Sequence, residues 1–167
     1  MGSVESKRCR NIRRVLIALF IVCGYMLSTT FAGAYFDIDG KETFVPMTAL
    51  NLALGSMGGD TPMYQNKLVG GMYIAIPFIG FFFMFFDKKS NVKNLVGMVC
   101  GIIGCLAIAF PLGANGDLYI GIGAVVSMIV YVIITMLSGI SIFMNLEDRR
   151  GENSGSGTRL SAHGDEA

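Results

Sequence analysis

Few side chains in this sequence are suited to chemistry, and their positions argue against most of it. The one histidine, His163, sits in a Ser/Gly-rich stretch near the end of the sequence. The cysteines are Cys9, Cys23, Cys100 and Cys105. Cys100 and Cys105 lie in one apolar block, and their separation is not the Cys-x-x-Cys spacing of a redox pair. All four are expected to be small, reduced side chains. The run Asp37-Ile38-Asp39-Gly40-Lys41-Glu42 begins like a calcium loop. It lacks the third acidic position and the closing Glu that a twelve-residue EF-hand loop requires. Asp39-Gly40 instead supplies the positive φ angles of a type I′ turn between two strand-forming flanks, which predicts a hairpin over 34–45. Gly121-Ile122-Gly123 is embedded in an apolar run and is not a phosphate-binding loop. No catalytic residue, metal or cofactor is expected.

Two sets of uncharged residues have a spacing that carries meaning. Ser127, Tyr131, Thr135 and Ser138 are offset by four, four and three, so they share one helical face. Such a row is either a polar seam lining a pathway or hydroxyl glue between helices. Glue is the more economical reading, since each such contact contributes only ~0.6–2 kcal/mol and is common in helix bundles. Gly97, Gly101 and Cys105 fall four apart, giving a face that lets another helix backbone come close. Packing within the chain is expected there ahead of dimerisation. Pro77 interrupts a third apolar run, where it is expected to be a static kink rather than a hinge.

These residues need apolar helices to hold them. The chain has 167 residues, 53% hydrophobic and 15% charged, with a mean hydropathy of +0.59. The charge is also segregated: long blocks carry none, and the short connections carry nearly all of it. Soluble domains average about a quarter charged residues, and their cores do not separate charge in this way. The pattern predicts an all-α membrane protein: an up-down bundle of four transmembrane helices, with a small extracytoplasmic β-hairpin and short helix between the first and second. A basic arm is expected over 1–14, then spans over 15–36, 68–86, 95–114 and 118–144. The connections are an outer loop over 37–67, a cytoplasmic turn over 87–94 and an outer turn over 115–117. A disordered tail is expected over 145–167. Within the outer loop, Pro46 fits the first turn of a short helix through Leu54. The basic start, the apolar run and Ala32-Gly33-Ala34 also match a cleaved signal peptide, but apolar character continues through Tyr35 and Phe36, which favours an uncleaved first helix.

Lys and Arg set the orientation. Lys7, Arg8, Arg10, Arg13 and Arg14 precede the first span, Lys88, Lys89 and Lys93 lie between the second and third, and Arg149 and Arg150 follow the fourth. The outer loop has only Lys41 and Lys67. The positive-inside rule then places both termini in the cytoplasm and the protein in the cell membrane. The basic arm is expected to meet anionic headgroups at ~1 kcal/mol per residue. It also matches an N-myristoylation pattern at Met1-Gly2-Ser3-Val4-Glu5-Ser6, which a multi-span chain does not need. The spans contain no Asp, Glu, Lys, Arg or His, which argues against a proton relay or an intramembrane hydrolase. A basic arm with no fold behind it gives no support to nucleic-acid binding. The sequence therefore predicts a non-enzymatic accessory or scaffold subunit acting by helix–helix association, with a membrane-protein partner or a second copy of itself. The alternative is an oligomeric small-solute permease or channel with its path along the fourth-span hydroxyls.

Overall fold

A computed structural model describes residues 7–54, 67–86, 91–114 and 119–160. The expected flexible return at 55–66, the first half of the turn at 87–94 and the outer turn at 115–117 lie outside the described residues, as do 1–6 and 161–167. The described residues are mostly helical, with a small sheet. In order, the elements are α1 (Lys7–Met26), β1 (Thr30–Ile38), β2 (Lys41–Thr48), α2 (Ala49–Leu54), α3 (Lys67–Phe86), α4 (Val92–Ala114), β3 (Tyr119–Ile120) and α5 (Ile122–Leu160).

The four long helices form a ring. α1 packs on α3 and α5, and α4 packs on the same two. Leu16, Phe20 and Cys23 of α1 meet Tyr73, Ile76 and Met84 of α3 in one buried core, with Ile108 of α4 and Ile134 of α5. Two helices are long and apolar enough to cross a membrane, over Val92–Ala109 and Ile122–Glu147, and α3 carries a shorter apolar stretch, Gly70–Phe86. Phe78, Phe82, Phe83, Phe85 and Phe86 of that stretch are exposed, and Phe82 packs at a tilt on Phe86, 4.4 Å between ring centroids.

The first predicted span, 15–36, is corrected by the structure. Its helix begins earlier, at Lys7, and ends at Met26. The reason is a run of hydroxyls. Ser28 Oγ donates to the Tyr25 carbonyl at 2.8 Å and Thr29 Oγ1 to the Met26 carbonyl at 2.7 Å. The same two carbonyls also accept the backbone N–H groups of Ser28 and Thr29, at 3.1 and 3.0 Å, so backbone and hydroxyls together close the last turn. Thr30-Phe31 then opens a strand, which apolarity alone cannot distinguish from more helix. The apolar part of α1, Val15–Met26, is therefore only about 18 Å long at 1.5 Å per residue.

The hairpin is longer than 34–45, running from Thr30 to Thr48. Asp39 and Gly40 form its turn, with φ of +54° and +75°, both in the left-handed region that a type I′ turn needs. Pro46 does not start the short helix. It sits in β2 opposite Gly33, on an edge strand, where a residue without an N–H is tolerated. Helix α2 starts at Ala49 instead, and the Asn51 N–H donates to Thr48 Oγ1 at 3.1 Å, an N-cap. The fourth predicted span, 118–144, is corrected at its start: Tyr119–Ile120 form a strand, and the helix begins at Ile122. β3 pairs antiparallel with β1, Gly33 facing Tyr119 and Ala32 facing Ile120, which gives the sheet order β2-β1-β3. Ala32-Gly33-Ala34, the candidate cleavage site, thus lies in the central strand. Helix α5 continues past the expected boundary at 144 to Leu160.

Candidate functional site

The two residue sets singled out by spacing meet each other. Gly97, Gly101 and Gly104 of α4 face Ser138, Thr135 and Tyr131 of α5 in that order, as antiparallel helices require. A Cβ on Gly97 would come within 2.8 Å of Ser138 Oγ, and one on Gly101 would reach Thr135 Oγ1 and lie 2.9 Å from the Tyr131 carbonyl oxygen. One on Gly104 would lie 2.7 Å from the Tyr131 ring. The glycine stripe and the hydroxyl row are therefore two halves of one interface. Removing side chains from α4 brings the backbones close, and the hydroxyl-bearing residues of α5 fill the space created.

The polar atoms of this seam differ in how they are satisfied. Thr135 Oγ1 donates to the Tyr131 carbonyl one turn back, at 2.9 Å, the local bond that Thr commonly makes in a helix. The Tyr131 hydroxyl lies within hydrogen-bonding reach of Cys23 Sγ of α1. Cys105 Sγ donates to the Met128 carbonyl at 3.7 Å. Ser127 Oγ and Ser138 Oγ are buried without a hydrogen-bond partner among the described residues. Where Leu27, Phe31, Tyr73, Gly104, Ser127 and Tyr131 converge, the gap between them has no space as wide as a water molecule. At that end the seam is a dry contact.

A second polar cluster, at the end of the bundle away from the sheet, was missed by sequence reasoning. Cys9 Sγ donates to Asn145 Oδ1 at 3.3 Å, and Asn145 Nδ2 donates to Asn91 Oδ1 at 2.6 Å. This chain of bonds ties α1, the start of α4 and α5 together. Lys93 and Asn94, expected in a solvated turn, are buried beside it. The residues come from three distant parts of the sequence, and no local spacing signals them.

The third feature is the outward face of the sheet. Tyr35, Phe44 and Tyr119 form a cluster of exposed rings, with centroids 5.2 Å, 5.4 Å and 6.2 Å apart. Phe44 lies over Gly33, and a Cβ there would sit 2.7 Å from the ring atom Cε2. An aromatic side chain covering a strand glycine stabilises a sheet by filling the space the glycine leaves. Pro77 is buried inside α3. It borders an apolar groove of about 260 Å³ with Phe20, Ile21, Gly24, Phe78 and Phe81.

Among the described residues, no group of three or more His, Cys, Asp or Glu is placed to hold a metal ion. No protein-family model, curated protein or solved structure matches this chain. The functional reading therefore stands on geometry and composition.

Proposed function

We propose that this chain is a small four-span integral membrane protein of the cell membrane, with its sheet on the extracytoplasmic side and both termini in the cytoplasm. We further propose that it works without catalysis, as an accessory or scaffold subunit associated with another membrane protein. One observation carries the reading: the outer surface of the bundle is as apolar as its core, while several polar side chains are turned inward. Ile21 and Tyr25 of α1, Phe78 and Phe82 of α3, Ile102 and Leu106 of α4, and Ile129, Met136 and Phe143 of α5 all point outward and are exposed. The buried positions include Ser127, Ser138, Ser141 and Asn94. In water this arrangement would leave apolar area exposed on every helix, at roughly 25 cal/mol per Å². A hydrocarbon surround removes that cost.

The charge distribution supports the orientation. Arg8, Arg10 and Arg14 are exposed at the start of α1, away from the sheet, and Arg149 and Arg150 lie in the distal part of α5. The short apolar length of α1 is compatible with spanning. Arginine stems reach along apolar surface to bring their heads to the interface, and at the other end the buried Phe31-Ala32-Gly33-Ala34 of β1 extends the apolar layer. Backbone that is not helical is tolerated at that depth when protein covers it.

The permease alternative would need the α5 hydroxyls to line a path. Instead Tyr131, Thr135 and Ser138 are packed against the glycines of α4, and no water-wide space is left where Gly104, Ser127 and Tyr131 converge, which supports glue. The test is extraction of the tagged chain in mild detergent after reversible cross-linking in cells. A single membrane-protein partner recovered at fixed stoichiometry is the expected result, and recovery of the chain alone in repeated preparations counts against association. Solute flux in liposomes that is abolished by Thr135→Val would replace this reading with the permease.

A further inference from the structure

The outward face of the sheet has an order that neither packing nor membrane insertion requires. The strand register stacks three rows across it: Pro46, Gly33 and Tyr119, then Phe44 and Tyr35, then Glu42 and Asp37. The first two rows are apolar, and their rings are exposed, with Tyr35 54%, Phe44 43% and Tyr119 55% accessible, while Gly33 is buried beneath Phe44. The third row puts two carboxylates directly opposite each other. Like charges in a cross-strand pair destabilise a sheet. Lys41 does not relieve them, because it pairs with Ile38 and so falls on the alternate face of the pleat. Among the described residues neither Asp37 nor Glu42 has an ion-pair partner, and both are exposed.

An uncompensated carboxylate pair beside fixed, exposed rings is a combination that one chemical group satisfies on both counts. A guanidinium is planar and stacks on an aromatic face. Its fork of donors binds carboxylates in a bidentate manner. An ammonium answers the charge but has no plane to stack, and a neutral segment leaves the carboxylates opposed. We propose that this face docks an arginine-bearing extracytoplasmic segment of a partner protein, the guanidinium lying on the Tyr35–Phe44–Tyr119 cluster and bonded to Asp37 and Glu42. The inference rests on the association reading above and names the surface and the chemistry of the contact.

The test uses the full chain in nanodiscs with ¹³C-labelled tyrosine, the ring signals of Tyr35 and Tyr119 being assigned from Tyr→Phe variants. The probe is the peptide Gly-Arg-Gly-Gly-Arg-Gly, compared with versions carrying lysine or the uncharged isostere citrulline. Saturable shifts of both ring signals with the arginine peptide are expected, several-fold tighter than with lysine and absent with citrulline. Asp37→Asn with Glu42→Gln should weaken binding at least tenfold while raising thermal stability slightly, since a like-charge pair is removed. No saturable shift, or equal shifts with citrulline, overturns the proposal. So does a response that needs no peptide and follows the exchange of phosphatidylglycerol for phosphatidylcholine, which would make the face a headgroup site. A partner recovered by cross-linking with no peptide response sinks this surface assignment alone. Peptide binding with no partner recovered sinks the association reading instead.

Discussion

The α4–α5 and α1–α3 interfaces solve the same packing problem in opposite ways. Between α4 and α5, glycines oppose hydroxyl-bearing residues, and no space as wide as a water molecule is left where Gly104, Ser127 and Tyr131 converge. Between α1 and α3, an aromatic residue does the filling. Phe20 lies against Gly80, but toward Gly24 and Pro77 the helices leave a groove of about 260 Å³. A Cβ on Gly24 would meet nothing within 4 Å. A large ring fills one hole well and leaves its flank open, whereas a stripe of absent side chains lets two backbones run together. In lipid, where burial supplies no drive between helices, close van der Waals contact is what holds a pair. The α4–α5 pair is thus the rigid half of the bundle and the α1–α3 pair the adaptable half.

The contrast can be broken most severely at Gly101. Gly101→Leu would push a branched side chain into Thr135 and the Tyr131 backbone, neither of which can withdraw without separating the helices. A loss of about 3 kcal/mol or more is expected in detergent unfolding, from overpacking against backbone. A loss under about 1 kcal/mol would mean that α4 and α5 are not in close contact.

A sharper version makes one substitution in both regions. Gly101→Ala should destabilise by about 1–3 kcal/mol, whereas Gly24→Ala, with open space and a helical backbone, should stabilise by up to about 1 kcal/mol. Opposite signs in the same unfolding assay are the expected outcome, and equal effects would erase the distinction between the two interfaces.

Two smaller effects probe the polar atoms of the seam. Tyr131→Phe removes the hydroxyl within hydrogen-bonding reach of Cys23 and keeps the ring that packs on Gly104. A loss of about 0.6 kcal/mol is expected, the typical size of a hydrogen bond between membrane helices. Ser138→Ala should be neutral or slightly stabilising, since its buried hydroxyl makes no bond among the described residues and burying an unpaired polar group is unfavourable. Equilibrium unfolding of each variant beside the parent chain measures both. A loss above about 2 kcal/mol from Ser138→Ala would reveal a bonded water or ion and return the seam to a candidate pathway.

Local chemistry in the sequence was readable, and pairing between distant segments was not. Asp39-Gly40 specifies its turn because the positive φ requirement is met by those two residues alone. Gly97, Gly101, Ser127, Tyr131, Thr135 and Ser138 were identified by their spacing. That the two sets face each other depends on how far one helix slides along the other, and no spacing within either helix contains that. The end of α1 was missed because Phe31-Ala32-Gly33-Ala34 is as apolar in a strand as in a helix. Only the hydroxyls of Ser28 and Thr29, which bond the last helical carbonyls, mark the break. β3 is two residues long and exists through pairing with β1, so Tyr119-Ile120 read as the start of the next helix. The Cys9–Asn145–Asn91 chain joins residues as far as 136 apart in sequence, beyond any motif.

The central claim is that the bundle crosses the membrane with its sheet outside and the far end of α5 inside. It is tested most directly by labelling single cysteines placed at exposed sites at each end, Lys41→Cys in β2 and Glu147→Cys in α5, with a membrane-impermeant maleimide on intact cells. The native cysteines are buried or half-buried, and the parent chain serves as the blank. The account predicts labelling at position 41 before lysis and at position 147 only after permeabilisation. Protection at 41 in intact cells, or equal labelling of both positions, would contradict it.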